Sequence, residues 1–252
     1  AELKFLYNVL DNLKNLLKEN DLIIIESTIP PKTTEKIYKK YKLSKKNVYL
    51  AYCPERAIPG NTLIEMKNNH RIIGGINTIS SLKAKKLYSL ISKNIILTNS
   101  TEAEVSKLAE NTYRLVNISL ANEIHALCKN FNLRSKDLFK ITNLHPRVNF
   151  LKPGIGIGGH CIPIDPLFLN EENNIKLIDS SIKIDKKITN SIIKNILSNI
   201  NNKNKDKILC LGITYKENVD DLRESPAIKI INFLRKKVKN ISIYDPLNKS
   251  LN

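Results

Sequence analysis

One stretch of the sequence, residues 152–166, combines a glycine-dense backbone with a thiol and a carboxylate. Cys161 directly follows a Gly-Gly-His run, and Asp165 comes four residues after the thiol. A cysteine thiolate is a strong nucleophile, and nearby lysine or histidine side chains or N–H dipoles lower the pKa of the thiol. A lone cysteine is more often a small buried hydrophobe, but this setting predicts a reactive loop with Cys161 as its nucleophile.

The glycines of this stretch also match the G-x-G-x-x-G spacing of dinucleotide-binding turns, at Gly154, Gly156 and Gly159. That fingerprint works only where the glycines end a strand and open a helix, so that a pyrophosphate meets the free N–H groups of the helix start. Here a proline precedes the first glycine, and we expect Pro163 and Pro166 to prevent an immediate regular helix. We therefore predict a loop whose glycines let the backbone approach a bulky ligand closely.

The composition is that of a globular protein with a basic surface. The chain has 252 residues, of which 42% are hydrophobic, which is enough for about two domains with their own cores. The formal net charge of +17 is explained by a solvated, lysine-rich surface and would also suit an anionic small molecule. No basic stretch is interleaved with aromatic residues, and there is no tryptophan, so we predict no nucleic-acid partner.

Neither a membrane nor a metal is indicated by the sequence. No run approaches the roughly 18 to 20 apolar residues of a membrane span, and no signal-peptide pattern opens the chain. The four cysteines form no C-x-x-C pair, so we predict no metal site, no disulfide framework and a location in the reducing cytoplasm. The chain opens on Ala1 without an initiator methionine, from which we expect it to begin inside a longer protein.

Helices and strands alternate over residues 1–100. An amphipathic segment precedes the apolar run at 22–25, which is typical of a helix followed by a buried strand. The alternation of helices and strands predicts a doubly wound parallel sheet in an α/β fold. Further helices are predicted over residues 33–42 and 80–92, and further strands over residues 47–52, 71–75 and 94–98.

Ligands of such sheets bind beyond the carboxyl ends of the strands. The predicted ends carry Ser27 and Thr28, residues 54–56 and residues 98–101, and we expect these three groups to share one edge of the sheet. No glycine-rich turn precedes the first strand, so the usual phosphate-binding turn lies upstream of Ala1 or does not exist.

A long helix is predicted from Thr101 to about Asn130. Thr101 would be its N-cap, and Glu104 three residues later would complete a capping box. At roughly 100° per residue, one side of this helix is apolar and the opposite side carries only hydrogen-bond donors. A donor-only side favours an anionic ligand over a plain solvated surface. The apolar side comprises Val105, Ala109, Thr112, Val116 and Leu120, and the donor side comprises Lys107, Asn111 and Arg114.

The remainder of the chain adds helices, a charged linker and a second set of strands. Ser225 would cap the last helix and Pro226 would open it. The final β-α-β unit begins a further domain, because two strands are a poor independent sheet. The predicted helices are residues 135–142 and 175–201, the strands are residues 207–212 and 241–246, the loop is residues 144–152, and the linker is residues 203–207.

Five short motifs follow one another along the chain: residues 26–30, 54–56 and 104–111, the Gly-Gly-His-Cys loop, and residues 216–223. Together they resemble the UDP-glucose/GDP-mannose dehydrogenase family, the nucleotide-sugar dehydrogenases that oxidise a sugar C6 alcohol to a carboxylate. The resemblance covers nearly the whole chain. It implies the C-terminal part of a Rossmann-like NAD-binding domain at 1–100, a central long-helix domain at 101–202, and the start of a Rossmann-like UDP-binding domain at 203–252. The chain would then be truncated at both ends.

Within the family, the run at 160–166 looks more like enzymes for N-acetylated hexosamines, UDP-N-acetylmannosamine or UDP-N-acetylglucosamine, than like UDP-glucose dehydrogenases. The latter usually carry Ser-Cys-Phe and a lysine before the aspartate, where this chain has Ile164. Pro59 stands where UDP-glucose enzymes have a second glutamate. Both departures disfavour UDP-glucose as the substrate. The resemblance implies a role in the synthesis of a polysaccharide or glycan.

The resemblance also implies a mechanism with two hydride transfers to NAD⁺. Cys161 would capture the intermediate aldehyde as a thiohemiacetal, which is oxidised to a thioester and hydrolysed. Lys107 would stabilise the oxyanion on the C6 oxygen, and Asn111 and Thr28 would hold a water molecule or the oxyanion. Asp165 and Glu55 both remain open as the group that manages protons.

Binding residues and a partner follow from the same resemblance. Ser27, Thr28 and Arg223 would contact NAD, and a homodimer would form through the central helix. For that helix the alternative is that its apolar face is simply core. The residues implied for the UDP-sugar are Arg56, Ala57, Lys107, Asn111, Arg114, His145, Arg147, Lys152, Gly158, Tyr215 and Lys216.

Three alternatives stay open at this point. The chain could act on UDP-N-acetylglucosamine or UDP-glucose. It could be an inactive remnant that retains a nucleotide-sugar pocket, although its chemical residues are intact. It could also be a dehydrogenase of the 3-hydroxyacid or 6-phosphogluconate type, which shares a lysine and asparagine on the long helix but needs no nucleophilic cysteine.

Overall fold

The chain folds into two compact units, Ala1–Glu110 and Asn111–Asn252. A computed structural model describes residues 3–57, 62–171 and 173–248, so Pro59 lies outside the described residues. Helices alternate with strands in the first and last parts of the described chain, with a run of successive helices between them, which confirms the α/β class. Within the described ranges, none of the helices is both long enough and apolar enough to cross a membrane.

The first unit contains every helix and strand that the sequence predicts, with small shifts of their bounds. The sequence analysis missed a short helix and a 3₁₀ turn in this unit. The elements are α1 (Lys4–Leu13), β1 (Leu22–Ile25), α2 (Thr33–Lys40), the 3₁₀ turn Leu43–Lys46, β2 (Tyr49–Tyr52), α3 (Thr62–Asn68), β3 (Arg71–Gly75), α4 (Thr78–Tyr88), β4 (Ile95–Asn99) and the first part of α5 (Ser100–Asn130).

The sheet of this unit is mixed, so the prediction of a parallel sheet is wrong at one strand pair. The order is β1-β2-β3-β4, with β1 parallel to β2 and β3 parallel to β4. β2 and β3 are antiparallel, with Tyr52 opposite Gly74. The chain leaves β2 and enters β3 at the same edge of the sheet, without the crossover that parallel strands require. Residues 98–101 therefore lie at the opposite edge from the residues that follow β1 and β2.

Helix α5 begins at that opposite edge and runs back along the sheet. A Cβ on Gly74 would lie 2.6 Å from the Cβ of Ala103, so the glycine allows the helix to pack closely on β3. At a rise of 1.5 Å per residue, the seven steps from Ser100 to Lys107 span about 10 Å, roughly the length of a four-residue strand. This length returns Lys107 to the edge where Glu55 lies.

The predicted capping box of α5 does not form. The helix begins at Ser100, one residue earlier than predicted. The Glu104 carboxylate is fully buried and accepts hydrogen bonds from the backbone of Lys32 (2.5 Å) and Thr34 (2.8 Å) and from the Thr34 hydroxyl (2.6 Å). Glu104 therefore accepts hydrogen bonds at the N-terminus of α2 instead, because the first four N–H groups of a helix have no acceptor within the helix.

The described part of the second unit contains the rest of α5, four further helices, the glycine-rich loop and a parallel strand pair. Ser225 caps the last helix by accepting from the N–H of Ile228 at 3.4 Å, and Pro226 opens it, as predicted. The elements are α6 (Ser135–Thr142), α7 (Asp165–Asn170), α8 (Lys176–Ser198), β5 (Lys207–Leu211), α9 (Pro226–Arg235) and β6 (Asn240–Tyr244).

Helix α7 corrects the expectation that Pro163 and Pro166 exclude an early helix. It begins at Asp165, with Pro166 in its first turn. The missing N–H of a proline costs nothing at that position, because the first N–H groups of a helix have no partner within the helix.

The buried side of α5 is not the apolar side that the sequence suggests. Leu108, Leu115 and Ser119 face the interior, whereas Val105 and Leu120 are 36% and 44% exposed. The alternative that the Val105–Leu120 face is simply core is therefore wrong within the described chain. An apolar stripe that stays exposed on one copy calls for another explanation, such as a partner.

Candidate functional site

Glu55 is the centre of a hydrogen-bonded cluster in the first unit. Its Oε1 accepts from the N–H groups of Arg56 (2.7 Å) and Ala57 (2.6 Å), and its Oε2 accepts from Arg71 (2.9 Å). Its backbone carbonyl accepts from the ammonium of Lys107 at 2.8 Å. Burial opposes ionisation, but the N–H of Ala57 and the guanidinium of Arg71 outweigh it, so the pKa of Glu55 lies below its usual value. Glu55 is thus a fixed anion.

Arg56 is engaged by protein groups in the same cluster. Its guanidinium forms a two-point ion pair with Glu110, at 2.6 and 3.2 Å, and donates to the carbonyl of His70 at 2.7 Å. The structure therefore places Arg56, Glu55 and Lys107 together, but it already neutralises the charge of Arg56. Ala57 contributes its N–H to Glu55, as described above.

The predicted cofactor residues Ser27 and Thr28 follow β1 at the same edge of the sheet. Ser27 is exposed and Thr28 is partly exposed, whereas Ile29 is buried and anchors the segment. Two accessible hydroxyls beyond the carboxyl end of a parallel strand fit a polar ligand such as a nucleotide. The residues present therefore suit the cofactor that the sequence analysis expects.

The glycine-rich loop of the second unit is held by protein acceptors. The N–H of Gly154 donates to Asn122 (2.8 Å), that of Ile157 to Asp185 (2.7 Å) and that of Gly159 to the carbonyl of Arg223 (3.0 Å). No strand precedes these glycines within residues 143–164. Because the N–H groups of a phosphate-binding turn must point at the ligand, the rejection of a dinucleotide fingerprint is confirmed.

Close packing requires glycine at two positions of this loop. A Cβ on Gly158 would lie 2.7 Å from the Cβ of Tyr215, and a Cβ on Gly159 would lie 2.8 Å from the ring of Tyr215. Gly159 also has a φ of +84°, a conformation that glycine adopts at little cost. The loop therefore presses its backbone against Tyr215, just before Cys161.

Cys161 and Asp165 lie in one turn that opens α7. The carbonyl of Cys161 accepts from the N–H groups of Ile164 (3.0 Å) and Asp165 (2.8 Å). Asp165 is 3% exposed, and its Oδ2 accepts from the side-chain amide of Asn111 at 2.6 Å. The structure thus brings Cys161, Asp165 and Asn111 together within the second unit.

The other cysteines are in different environments. Cys53 is fully buried, and burial raises the pKa of its thiol to about 12. Cys128 is buried as well, and burial raises the pKa of Cys210 on β5. Cys161 is partly exposed, as is Cys210, but it lies on a loop rather than on a strand.

An acidic residue that the sequence analysis missed, Asp221, organises the surroundings of the glycine-rich loop. Asp221 accepts from the backbone and guanidinium of Arg223 at 2.6 to 3.0 Å, and its carbonyl accepts from the N–H of Tyr215 at 3.2 Å. The ring of His160 lies 4.0 Å from the same carboxylate. The hydrogen bond from Arg223 lowers the pKa of Asp221 to about 2.

The remaining predicted binding residues are exposed cations. Arg114, Lys152 and Lys216 lie on the surface of the second unit. His145 and Arg147 occupy the exposed turn after α6, where the N–H of Arg147 donates to His145 at 3.3 Å. Among the described contacts, no hydrogen bond joins this turn to the Cys161 loop.

Several supporting residues gave no local signal in the sequence. Asn122 and Asp185 lie 32 and 28 residues from the backbone groups that they bind. Arg71 could have been noticed, because a charged residue begins a strand whose following residues are apolar. The part of the chain that the structure describes contains no group of three His, Cys, Asp or Glu side chains able to hold a metal ion.

Three profiles of one family match the chain in succession. They are described as the NAD binding domain (residues 1–92), the central domain (residues 101–191) and the UDP binding domain (residues 209–251) of the UDP-glucose/GDP-mannose dehydrogenase family. The chain belongs to this family. All three domains of the family are represented along the sequence.

Three relatives within the family illustrate the similarity. The UDP-N-acetyl-D-mannosamine dehydrogenase of Methanococcus vannielii is 46% identical over 250 residues, covering 98% of this chain and 58% of the relative. The solved UDP-D-ManNAc dehydrogenase of Pyrococcus horikoshii is 38% identical with a TM-score of 0.91, covering 98% of this chain and 62% of that one. The UDP-N-acetyl-mannosamine dehydrogenase of Staphylococcus aureus is 38% identical with a TM-score of 0.86, covering 97% and 60%. The chain thus spans about three fifths of these proteins.

Proposed function

We propose that the protein containing this chain is a UDP-N-acetylhexosamine dehydrogenase. It oxidises the C6 alcohol of UDP-N-acetylmannosamine to the carboxylate in a four-electron reaction. The observation that carries the proposal is the partly exposed Cys161 on a clamped glycine-rich loop, beside the Asn111–Asp165 pair. The names of the most similar relatives support the substrate.

NAD⁺ supplies the hydride acceptor for both oxidations when it is bound. Ser27 and Thr28 are proposed to hold it at the edge of the sheet, and Arg223 is a further proposed contact. The match of residues 1–92 to an NAD binding domain supports this assignment. We also propose the division into a NAD-binding part (1–100), a central part (101–202) and a UDP-binding part (203–252).

Cys161 is proposed to act after the first oxidation has produced an aldehyde. Its thiolate adds to the aldehyde carbon, and the carbonyl π electrons move to the oxygen, giving a thiohemiacetal. Loss of the second hydride converts this adduct into a thioester. Water then cleaves the carbon–sulfur bond, which releases the acid and restores the thiol.

Lys107 is proposed to stabilise the negative charge that develops on the C6 oxygen in each of these steps. Its ammonium is fixed by the carbonyl of Glu55 at 2.8 Å, so little reorganisation is needed when the charge forms. Thr28 is proposed to hold the attacking water molecule or the oxyanion together with Asn111.

Asp165, rather than Glu55, is proposed to act as the general acid or base of the reaction. Both oxygens of Glu55 are occupied by N–H donors, and its pKa is lowered, which makes it a weak base. Asp165 has its Oδ2 bonded to Asn111 and lies one turn from Cys161. A buried carboxylate in the same turn as Cys161 is proposed to receive the proton of the thiol or to activate water.

The UDP-sugar is proposed to bind through cations and through the packed glycine loop. A pyrophosphate needs several cationic partners, and the exposed basic residues of the second unit that are proposed as contacts can supply them, since no ion pair of theirs appears among the described residues. Arg56 would have to exchange Glu110 for the ligand. The proposed contacts are Arg56, Ala57, Lys107, Asn111, Arg114, His145, Arg147, Lys152, Gly158, Tyr215 and Lys216.

We further propose a homodimer through the exposed face of α5 and a location in the reducing cytoplasm. The exposure of Val105 and Leu120 supports the homodimer, because a second copy of the chain would cover this apolar face of α5. Leu120→Glu should shift the protein from dimer to monomer in light scattering, whereas Ile141→Glu on exposed α6 should not. A wild-type monomer would contradict the proposal. The four cysteines form no disulfide bond, which supports the proposed location in the reducing cytoplasm.

The deciding experiment counts NADH per sugar for the full-length protein. We expect two equivalents of NADH per UDP-N-acetylmannosamine, and much slower turnover of UDP-N-acetylglucosamine and UDP-glucose. One equivalent would indicate a two-electron dehydrogenase. Tight binding of the nucleotide sugar without NADH would indicate an inactive binding protein, and either result would overturn the proposal.

A further inference from the structure

We infer that Arg71 is a positioning residue for Lys107, acting through the side chain and the peptide unit of Glu55. This inference rests on the proposed function, in which Lys107 stabilises the oxyanion. Neither the motifs of the chain nor its chemistry had singled out Arg71. It lies at the start of β3, and because β3 runs antiparallel to β2, this start lies at the edge where β1 and β2 end.

Arg71 is a buried cation that bridges the ends of two strands. It is 5% exposed, and its guanidinium contacts Glu26 after β1 at 3.3 Å and Glu55 after β2 at 2.9 Å. Its central carbon lies 4.5 Å from the centre of the Tyr88 ring, whose hydroxyl donates to Glu26 at 2.5 Å. A planar guanidinium can meet two carboxylates and stack on a ring at once. A lysine ammonium cannot match this geometry.

The carboxylate of Glu55 transmits this constraint to the backbone. Arg71 holds Oε2, which orients the carboxylate so that Oε1 receives the N–H of Arg56 at 2.7 Å. That N–H and the carbonyl of Glu55 belong to the same planar peptide unit. Fixing the N–H therefore fixes the carbonyl, which points to the opposite side and accepts from Lys107 at 2.8 Å.

The chain of contacts thus runs from Arg71 to the Glu55 carboxylate, then to the peptide unit, and then to the Lys107 ammonium. Without Arg71, two carboxylates would lose their shared cation, and the Glu55 carboxylate would keep only the Oε1 contacts to the N–H groups of Arg56 and Ala57, which restrain it less. The carbonyl would then sample other directions, and the Lys107 ammonium would lose its fixed acceptor. A preorganised charge is worth most when it does not have to move during the reaction.

The test is a double-mutant cycle of Arg71→Met and Lys107→Ala in the full-length protein. Arg71→Met alone should lower kcat roughly tenfold and leave KM for the UDP-sugar within about threefold. If Arg71 acts through Lys107, the effects of the two mutations are not additive. In the Lys107→Ala background, Arg71→Met should cause no further loss. An equal loss in both backgrounds would overturn the inference, because Arg71 would then act independently of Lys107.

A matched control tests whether any change in this cluster lowers kcat, and a second variant replaces Arg71→Met if that variant does not fold. Tyr88→Phe removes only the hydroxyl contact to Glu26, keeps the ring under Arg71 and should leave kcat within about twofold. If Arg71→Met fails to fold, Arg71→Lys carries the test. This variant keeps the charge but not the two-carboxylate geometry, so its smaller loss of kcat should also vanish without Lys107. Persistence of that loss would overturn the inference.

The cycle separates this inference from the proposed function. Lys107→Ala by itself tests the oxyanion role, for which we expect a loss in kcat of roughly 10²-fold or more. Hydrogen exchange at the Arg56 amide gives a readout that does not depend on activity. Exchange should accelerate in Arg71→Met and remain as in the wild type in Lys107→Ala. Unchanged exchange in Arg71→Met would overturn the inference whatever the kinetics.

Discussion

The side-chain amide of Asn111 donates to the carboxylate of Asp165 over 2.6 Å, and the two residues are 6% and 3% exposed. Asp165 also donates its N–H to the carbonyl of Cys161 at 2.8 Å. Asn111 therefore fixes a buried carboxylate in the same turn as the thiol. Because an unpaired buried charge is costly, this hydrogen bond contributes to stability as well as to the proposed chemistry.

Asn111→Asp should destabilise the protein by about 2–4 kcal/mol, because two carboxylates at hydrogen-bond distance cannot both be ionised. Urea unfolding measures this loss. Combining Asn111→Asp with Asp165→Asn restores one carboxylate and one amide, so most of the stability should return. Activity should not return in the double variant, since the carboxylate is then on α5. Recovery of full activity would show that Asp165 has no specific role.

Gly159→Ala should destabilise the glycine-rich loop by about 1–3 kcal/mol. The residue has a φ of +84°, and a new Cβ would lie 2.8 Å from the Tyr215 ring. Gly154→Ala is the matched control, because the nearest atom to a Cβ there is 3.9 Å away. Thermal unfolding of both variants checks the difference. Equal melting temperatures would mean that the packing of Gly159 against Tyr215 is not needed for the fold.

The sequence was a good guide to local structure but not to strand direction. The apolar run at 22–25 and the Ser225-Pro226 start of α9 determine their elements through short-range preferences. Strand direction depends on where the chain re-enters the sheet, and hydrophobic patterning is the same for either direction. This is why the antiparallel pairing of β2 with β3, and with it the location of residues 98–101, could not be predicted.

The candidate site likewise combines features that are local in sequence with features that depend on tertiary packing. Cys161 and its glycines are local in sequence and were recognised from their types and spacing. Arg71, by contrast, pairs with Glu26 and Glu55, which precede it by 45 and 16 residues. Such pairs are created by tertiary packing and leave no periodic signal. For a related reason the sequence left core open as the alternative to a dimer contact for the apolar face of α5, since a pattern shows that a face is apolar but not what covers it.

The stability contributed by Glu104 should depend on pH. Burial raises the pKa of Glu104 above the model-compound value of 4.5, although hydrogen bonds from Thr34 and Lys32 oppose the shift. The folded state therefore binds more protons, so the free energy of unfolding falls as pH rises from about 4.5 through the raised pKa. The slope should not exceed about 1.4 kcal/mol per pH unit.

Glu104→Gln removes this titration, so its unfolding free energy should lack that part of the pH dependence. Glu102→Gln, on the exposed side of the same helix, is the matched control and should keep the wild-type slope. Denaturant unfolding at a series of pH values provides the measurement. Parallel curves for the wild type and Glu104→Gln would show that Glu104 titrates alike in the folded and unfolded states.

Cys161→Ser should abolish formation of the acid while leaving affinity for the UDP-sugar within a few fold, because a neutral hydroxyl is a far weaker nucleophile than a thiolate. Cys210→Ser is the matched control, since Cys210 is also only partly buried but lies on β5, away from the glycine-rich loop. It should retain full turnover. Mass spectrometry of the quenched wild-type protein should reveal a covalent sugar adduct on the peptide containing Cys161. Full acid formation by Cys161→Ser would remove the nucleophile from the mechanism and, with it, the route to four-electron oxidation proposed above.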